Sequence, residues 1–404
     1  MFDVKKVRDD FPIFKVKING NNNTFLDSAA SAQKPLAVID RIKKIYSCEY
    51  ANVHRGSYEL SEKITSDYEN ARAIVQKFIN AERKEDIVFT RNATESINLV
   101  AFTWGRKFLT KIDEVIISEA EHHANLVPWQ VLRDEIGFEL KICRVNDDGS
   151  FDWNDFCQKL SGKTKLVAIT GLSNVLGTLF PIKDIITAAH RKGAKVLVDA
   201  CQYAVHKKID VRDWDCDFLA FSGHKTYGPT GIGVLYGKYD ILAAMPPYQY
   251  GGDMVDVVTY NATTFDQPPA RFEAGTPAIV QAIGMGEALK YMMDLGIDEI
   301  DKYETDLSKY AYTELKKIKG LRLLGDHESR SGIYSFVIEG IHPQDLAFIL
   351  NKEGVAVRVG HHCAAPLVRR MGYESVLRAS LGMYNTAEDI DILCNALRKA
   401  QSFF

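Results

Sequence analysis

The sequence predicts an α/β protein, with a large layer built on a mostly parallel seven-stranded sheet and a smaller α+β unit after it. Seven short apolar runs, at residues 87–89, 115–117, 140–145, 166–169, 196–199, 218–221 and 234–236, predict the sheet. Loops or helical stretches separate most of them, the pattern of buried strands crossed over by helices. A second observation is the C-terminal third, where helical patterns at 279–295 and 300–318 precede alternating strands and helices. A third is length: 404 residues can bury a large core and fill two domains. The expected division is 20–290 for the large domain, and 1–19 with 291–404 for the small one.

Taken in order, residues up to about Gly20 read as an arm offering Val7, Phe11, Ile13 and Phe14 for packing. Residues 24–30 are extended and end in small side chains. Pro35 sits where a first helical turn starts, and Val38, Ile42 and Ile45 follow at helical spacing. Residues 61–79 form an amphipathic helix with Ile64, Tyr68, Ala71, Val75 and Phe78 on one stripe. Strand 87–89 leads through a loop at 91–93 into a helix opening at Thr94. Residues 243–277 are loop-rich, holding Pro246-Pro247, Gly251-Gly252, Pro268-Pro269 and Pro277. The tail reads as strand 335–338, helix 343–353 and strand 355–358. A last helix begins after Thr386, which makes a capping pattern with Asp389.

Composition narrows the function. The formal net charge is −3, with Lys and Arg dispersed, so nothing suggests a nucleic-acid surface. No run reaches the roughly 20 apolar residues of a membrane helix, and the first residues lack a signal-peptide pattern. A cytoplasmic protein is expected. The seven cysteines are scattered without a CxxC pair, which predicts neither a metal cage nor a disulfide framework.

Chemistry concentrates in two stretches. Residues 217–233 hold a buried run ending in Ser222-Gly223-His224-Lys225 and a glycine-rich loop. A lysine held at the end of a buried strand suits covalent capture of a carbonyl, while Ser222 and His224 offer donors for a phosphate. The same stretch also reads as a surface lysine in a glycine-rich hairpin. Thr94, His122, Asn174, Asp199 and Lys225 all fall after predicted strands, and in such sheets ligands collect outside the carboxyl ends of the strands. If Lys225 carries pyridoxal 5′-phosphate, Asp199 is the natural partner of the ring nitrogen. A charge pair about 4 Å apart at an effective dielectric near 20 contributes roughly 4 kcal/mol. Thr94 at a helix start would serve the phosphate, His122 would stack on the ring and Gln202 would donate to its hydroxyl. The second stretch is Val355-Ala-Val-Arg358-Val-Gly360-His361-His362-Cys363-Ala-Ala-Pro366. Cys363 there is either a structural thiol or a nucleophile on a glycine-hinged loop.

Together, Ser222-Gly-His-Lys225 and Arg358-Val-Gly-His-His-Cys363-Ala resemble the group II cysteine desulfurases of the sulfur-mobilisation (SUF) pathway. These are class V aminotransferase-like pyridoxal-phosphate enzymes of fold type I. The likeness spans nearly the whole chain, through Leu26-Asp-Ser-Ala-Ala-Ser-Ala-Gln-Lys-Pro35, Asn52-Val-His-Arg-Gly56, Glu121-His-His-Ala-Asn125, Arg271-Phe-Glu-Ala-Gly-Thr-Pro277 and Arg378-Ala-Ser-Leu381. It implies removal of sulfur from L-cysteine, giving L-alanine and a Cys363 persulfide. A SUF acceptor protein would carry that sulfur to iron–sulfur cluster assembly, and L-selenocysteine would be a second substrate. By the same resemblance Lys225 is the Schiff-base lysine and Arg378 the carboxylate clamp, assisted by Asn174. His54, Arg55 and Arg358 border the nucleophile loop, and Thr276 comes from the second subunit of a homodimer. Tyr58 and Tyr250 depart from the pattern, which has a histidine and a glycine there. Two other readings stay open: another class V reaction such as selenocysteine cleavage, and a non-catalytic assembly scaffold.

Overall fold

The computed structural model describes residues 2–327 and 330–404. Its central sheet has seven strands in the order Ile87–Thr90, Gly233–Gly237, Phe218–Ser222, Lys195–Asp199, Thr164–Thr170, Glu114–Ser118 and Glu139–Cys143. Gly233–Gly237 runs antiparallel to both neighbours. Every other pairing in the sheet is parallel. The expected mostly parallel seven-stranded sheet therefore forms.

Period-two alternation sends successive side chains of each strand to opposite faces, and both faces are covered. Val167, Ile169, Val196, Val198, Leu219 and Phe221 enter one buried cluster. Leu166, Ala168, Leu197, Phe218 and Ala220 enter the cluster on the other side. Burial of each large apolar side chain contributes about 1.5–3 kcal/mol, which is why these runs are apolar throughout instead of alternating with polar residues. The predicted stripe of Ile64, Tyr68, Ala71, Val75 and Phe78 is buried on the helix Glu59–Phe78. That helix packs closely on Ile279–Leu295. A Cβ added to Gly286 would lie 2.9 Å from the Ala71 Cβ, so the crossing needs glycine there.

A second, antiparallel sheet orders Leu321–Leu323, Ile333–Ile338, Val376–Ser380 and Arg358–Gly360. The helices Ile297–Lys316, Pro343–Lys352 and Ala387–Gln401 share its core. The N-terminal segment joins this layer: Thr24–Phe25 pairs in parallel with Val355–Ala356. Arg8 also makes a two-pronged ion pair with Asp389, at 2.8 and 3.2 Å.

Four local expectations differ. Residues 355–358 are not one strand: Val355–Ala356 and Arg358–Gly360 join different sheets, with the break at Val357. The loop-rich region contains a hairpin, Val255–Val258 with Thr263–Phe265, whose largely exposed residues leave no buried face to read. Pro35 lies just outside the helix Leu36–Lys44, as its N-cap. The helix Ala93–Leu99 is capped by Asn92, whose side chain accepts the Glu95 N–H at 2.9 Å, so Thr94 lies inside its first turn.

Candidate active site

The carboxyl ends of the parallel strands open into a cavity of about 290 Å³. Thr94, His122, Asn174, Asp199, Gln202, Ser222, His224, Lys225, Arg358, Cys363 and Arg378 all line it. Three predicted residues lie elsewhere in the same chain. His54 and Arg55 are exposed; His54 lies 3.5 Å from Glu69, and Arg55 3.4 Å from Asp253. Thr276 borders a separate hollow with Gly231, Tyr248 and Gln281.

One end of the cavity is built for an anion. Ser222 ends its strand and its hydroxyl oxygen accepts the Ala93 N–H at 2.9 Å, tying the lysine loop to the first turn that bears Thr94. Burial, with Lys225 and Lys34 close by, pushes His224 down to about 4. Its imidazole is therefore neutral, a hydrogen-bond donor beside Ser222 and Thr94. The His224 carbonyl accepts from Lys34 Nζ at 2.9 Å, which fixes the backbone just before Lys225.

At the middle, Asp199 is buried at the tip of its strand, and its carboxylate accepts the Cys201 N–H at 2.9 Å. Burial, with Lys225 beside it, lowers His122 to about 4. The His122 Nδ1 accepts the Ala124 N–H at 3.1 Å, which orients a neutral ring. The Gln202 amide nitrogen gives one N–H to the Ala29 carbonyl at 2.8 Å, and its buried oxygen has no partner among the described residues. The second N–H is a donor and the free oxygen an acceptor, and either suits a ligand hydroxyl.

The other end suits a carboxylate. Arg378 is buried; it donates to the Asn174 carbonyl at 3.0 Å and to Asp27 at 3.4 Å. Its Nε is buried without a partner among the described residues. Burial lowers it to about 10, which leaves it charged at neutral pH. Arg358 grips the same Asp27 carboxylate, at 3.1 Å through Nε and 3.0 Å through NH2. Cys363 is exposed, on a turn where Gly360, His362 and Cys363 all have positive φ, of 130°, 51° and 56°. Cys201 also lines the cavity, but burial and Asp199 push its thiol far above the usual range. Of the two lining thiols, only Cys363 is open to a protein partner.

Asp27, Glu121, His123 and His362 carried no assignment from sequence. Asp27 follows the apolar pair Phe25-Leu26 as Asp199 follows its strand, a signal available in the sequence. Glu121 is fully buried below the cavity, accepting from Ser118, Asn125 and the Thr170 N–H, and nothing in its exposed-looking Glu-His-His context announces that.

The chain matches the aminotransferase class-V family over residues 24–393. It is 48% identical to a cysteine desulfurase of Dickeya dadantii, over 98% of this chain and 97% of that protein. A cysteine desulfurase of Synechococcus elongatus is 47% identical over 99% of this chain, which spans 64% of that relative's length. Among solved structures, the cysteine desulfurase CsdA of Escherichia coli superposes with a TM-score of 0.93 at 38% identity, over the full length of both chains. The chain belongs to the class-V aminotransferase family of fold type I pyridoxal-phosphate enzymes, within its cysteine desulfurase branch. Its cofactor is pyridoxal 5′-phosphate, and the cavity fits that group: an anion cradle, a buried carboxylate, an unpartnered acceptor oxygen and a lysine lie together.

Proposed function

We propose that the protein is a group II, SUF-type cysteine desulfurase that converts L-cysteine to L-alanine and holds the sulfur as a Cys363 persulfide. An acceptor protein then receives it for iron–sulfur cluster assembly. The carrying observation is that an exposed thiol, Cys363, lines the same cavity as Lys225 and the unpartnered Nε of Arg378.

Lys225 would hold the cofactor, with Thr94, Ser222 and His224 on its phosphate, Asp199 at the ring nitrogen, His122 on the ring face and Gln202 at the ring hydroxyl. The bound group supplies an aldehyde for the substrate amine and a ring that accepts electron density from the substrate α-carbon. Arg378 binds the substrate carboxylate through paired N–H donors, helped by Asn174. Lys225 Nζ takes the proton from the α-carbon. The Cys363 thiolate forms a bond to the substrate sulfur as the Cβ–S bond breaks. The electron pair of that bond stays with the substrate carbon, which takes up a proton and becomes the methyl group of alanine. Atoms balance: cysteine and one enzyme thiol give alanine and one enzyme persulfide.

In this reading residues 20–290 form the cofactor domain, while 1–19 and 291–404 form the domain that presents the nucleophile. The enzyme works as a cytoplasmic homodimer. His54, Arg55 and Thr276, which lie outside the cavity of their own chain, complete the site of the partner. L-selenocysteine is a second substrate, releasing selenium.

Alanine and sulfide release from L-cysteine, with and without a candidate acceptor, tests the reading. Cys363→Ala is expected to lose turnover by at least about a hundredfold while keeping the cofactor's absorbance. Lys225→Ala is expected to lose both. Full turnover in Cys363→Ala would refute the nucleophile assignment.

A further inference from the structure

Two consecutive non-glycine residues, His362 and Cys363, adopt the left-handed conformation, with φ of 51° and 56°. Such a conformation is unfavourable for a residue that carries a Cβ and persists only where surrounding contacts impose it. Within the turn, His361 Nδ1 accepts the Cys363 N–H at 3.2 Å. From outside, Asn174 Nδ2 donates to the His362 carbonyl at 2.7 Å. Two further external contacts come from one residue. The His123 N–H donates to the Cys363 carbonyl at 2.7 Å, and the His123 Nε2 accepts the Ala365 N–H at 3.2 Å. The His361 ring lies beside the His123 ring, with centroids 5.6 Å apart. Backbone and side chain of one histidine thus hold the chain at the Cys363 carbonyl and again two residues further on.

We propose that His123 is a positioning residue, its neutral imidazole docking the Cys363 turn over the cavity so that the thiol points at the substrate sulfur. The proposal rests on Cys363 being the nucleophile. An imidazole can accept through Nε2 only when neutral, with its proton on Nδ1. Burial, followed by the neighbouring His361, holds His123 below its usual value, which favours that form. His122, the preceding residue, lines the cavity with Asp199 and Lys225. One short segment therefore serves the cofactor side with one ring and the sulfur side with the next.

The test compares His123→Phe, which keeps a ring and removes the acceptor, with His123→Gln, whose oxygen reaches the Nε2 position. The readout is backbone hydrogen exchange across residues 358–370 in the holoenzyme. Loss of one hydrogen bond is expected to speed exchange at Ala365 about fivefold in His123→Phe and to leave His123→Gln near wild type. Alanine release should follow, with kcat reduced about tenfold in His123→Phe, KM little changed and partial rescue in His123→Gln. Equal protection in all three proteins overturns the proposal. Equal acceleration in both variants does so too, because ring packing and not the acceptor nitrogen would then hold the turn. Should His123→Phe fail to fold, His123→Ala carries the same comparison. Turnover surviving in Cys363→Ala would remove the nucleophile reading and leave the exchange result standing, so the two failures are distinguishable.

Discussion

Asp27 shows how one side chain can set the geometry of two. It accepts from Arg378, which is buried, and from Arg358, which is half-exposed at the base of the Cys363 turn. A buried guanidinium needs paired acceptors, and leaving one charge without its partner is costly. Asp27→Asn is therefore expected to lower kcat/KM for L-cysteine about tenfold by loosening the Arg378 fork. Arg378→Lys, which offers a point charge in place of a planar fork, should raise KM and lower kcat/KM by roughly ten- to a hundredfold. Steady-state kinetics on L-cysteine checks both, and unchanged constants in Asp27→Asn would mean that Arg378 is held without it. The sequence displayed Asp27 at the end of an apolar stretch yet gave no hint of this role. Its two partners are over three hundred residues away in the chain.

Among elements, the terminal helix is the one most fully written in its local sequence. Thr386 accepts the Asp389 N–H at 3.4 Å, and the Asp389 carboxylate accepts the Thr386 N–H at 3.0 Å, the reciprocal cap expected from the spacing. Asp389 also receives Arg8, so the cap and the tie to the N-terminal segment share one carboxylate. Thr386→Ala is expected to cost about 1 kcal/mol, measured as a lower urea midpoint with an unchanged slope. Asp389→Ala should cost more, since it removes the ion pair as well as the cap. Helices with strong stripes, such as Glu59–Phe78, and fully apolar strands were legible because burial selects their composition directly. The hairpin at residues 255–265 was not, because its side chains are largely exposed and carry no such selection.

At the scale of the whole molecule, Glu121 couples stability to pH. Burial first, opposed by its hydrogen bonds and helped by Asp199, raises its carboxyl to about 8 from an ordinary 4.5. A carboxyl raised on folding favours the fold fully below the unfolded value and loses that contribution as pH rises through the folded value. Stability should therefore fall between about pH 5 and about pH 8, with a slope from this group of at most about 1.4 kcal/mol per pH unit. Glu121→Gln should flatten that part of the profile, even if its baseline is lower. Urea unfolding across this range decides it, and an unaltered slope in Glu121→Gln would place the dependence elsewhere.

By itself the sequence determined the local structure of most elements, the two-face burial of the sheet and the residue types of the site, since each follows from periodicity or from what a side chain can bond. Tertiary structure alone decided that Gly233–Gly237 runs antiparallel between Ile87–Thr90 and Phe218–Ser222. It also split residues 355–358 between two sheets and brought Asp27 and His123 to the Arg378 and Cys363 ends of the cavity. Strand order and loop docking depend on contacts between distant segments, and a period of two or 3.6 residues records which face is buried without naming the neighbour that buries it.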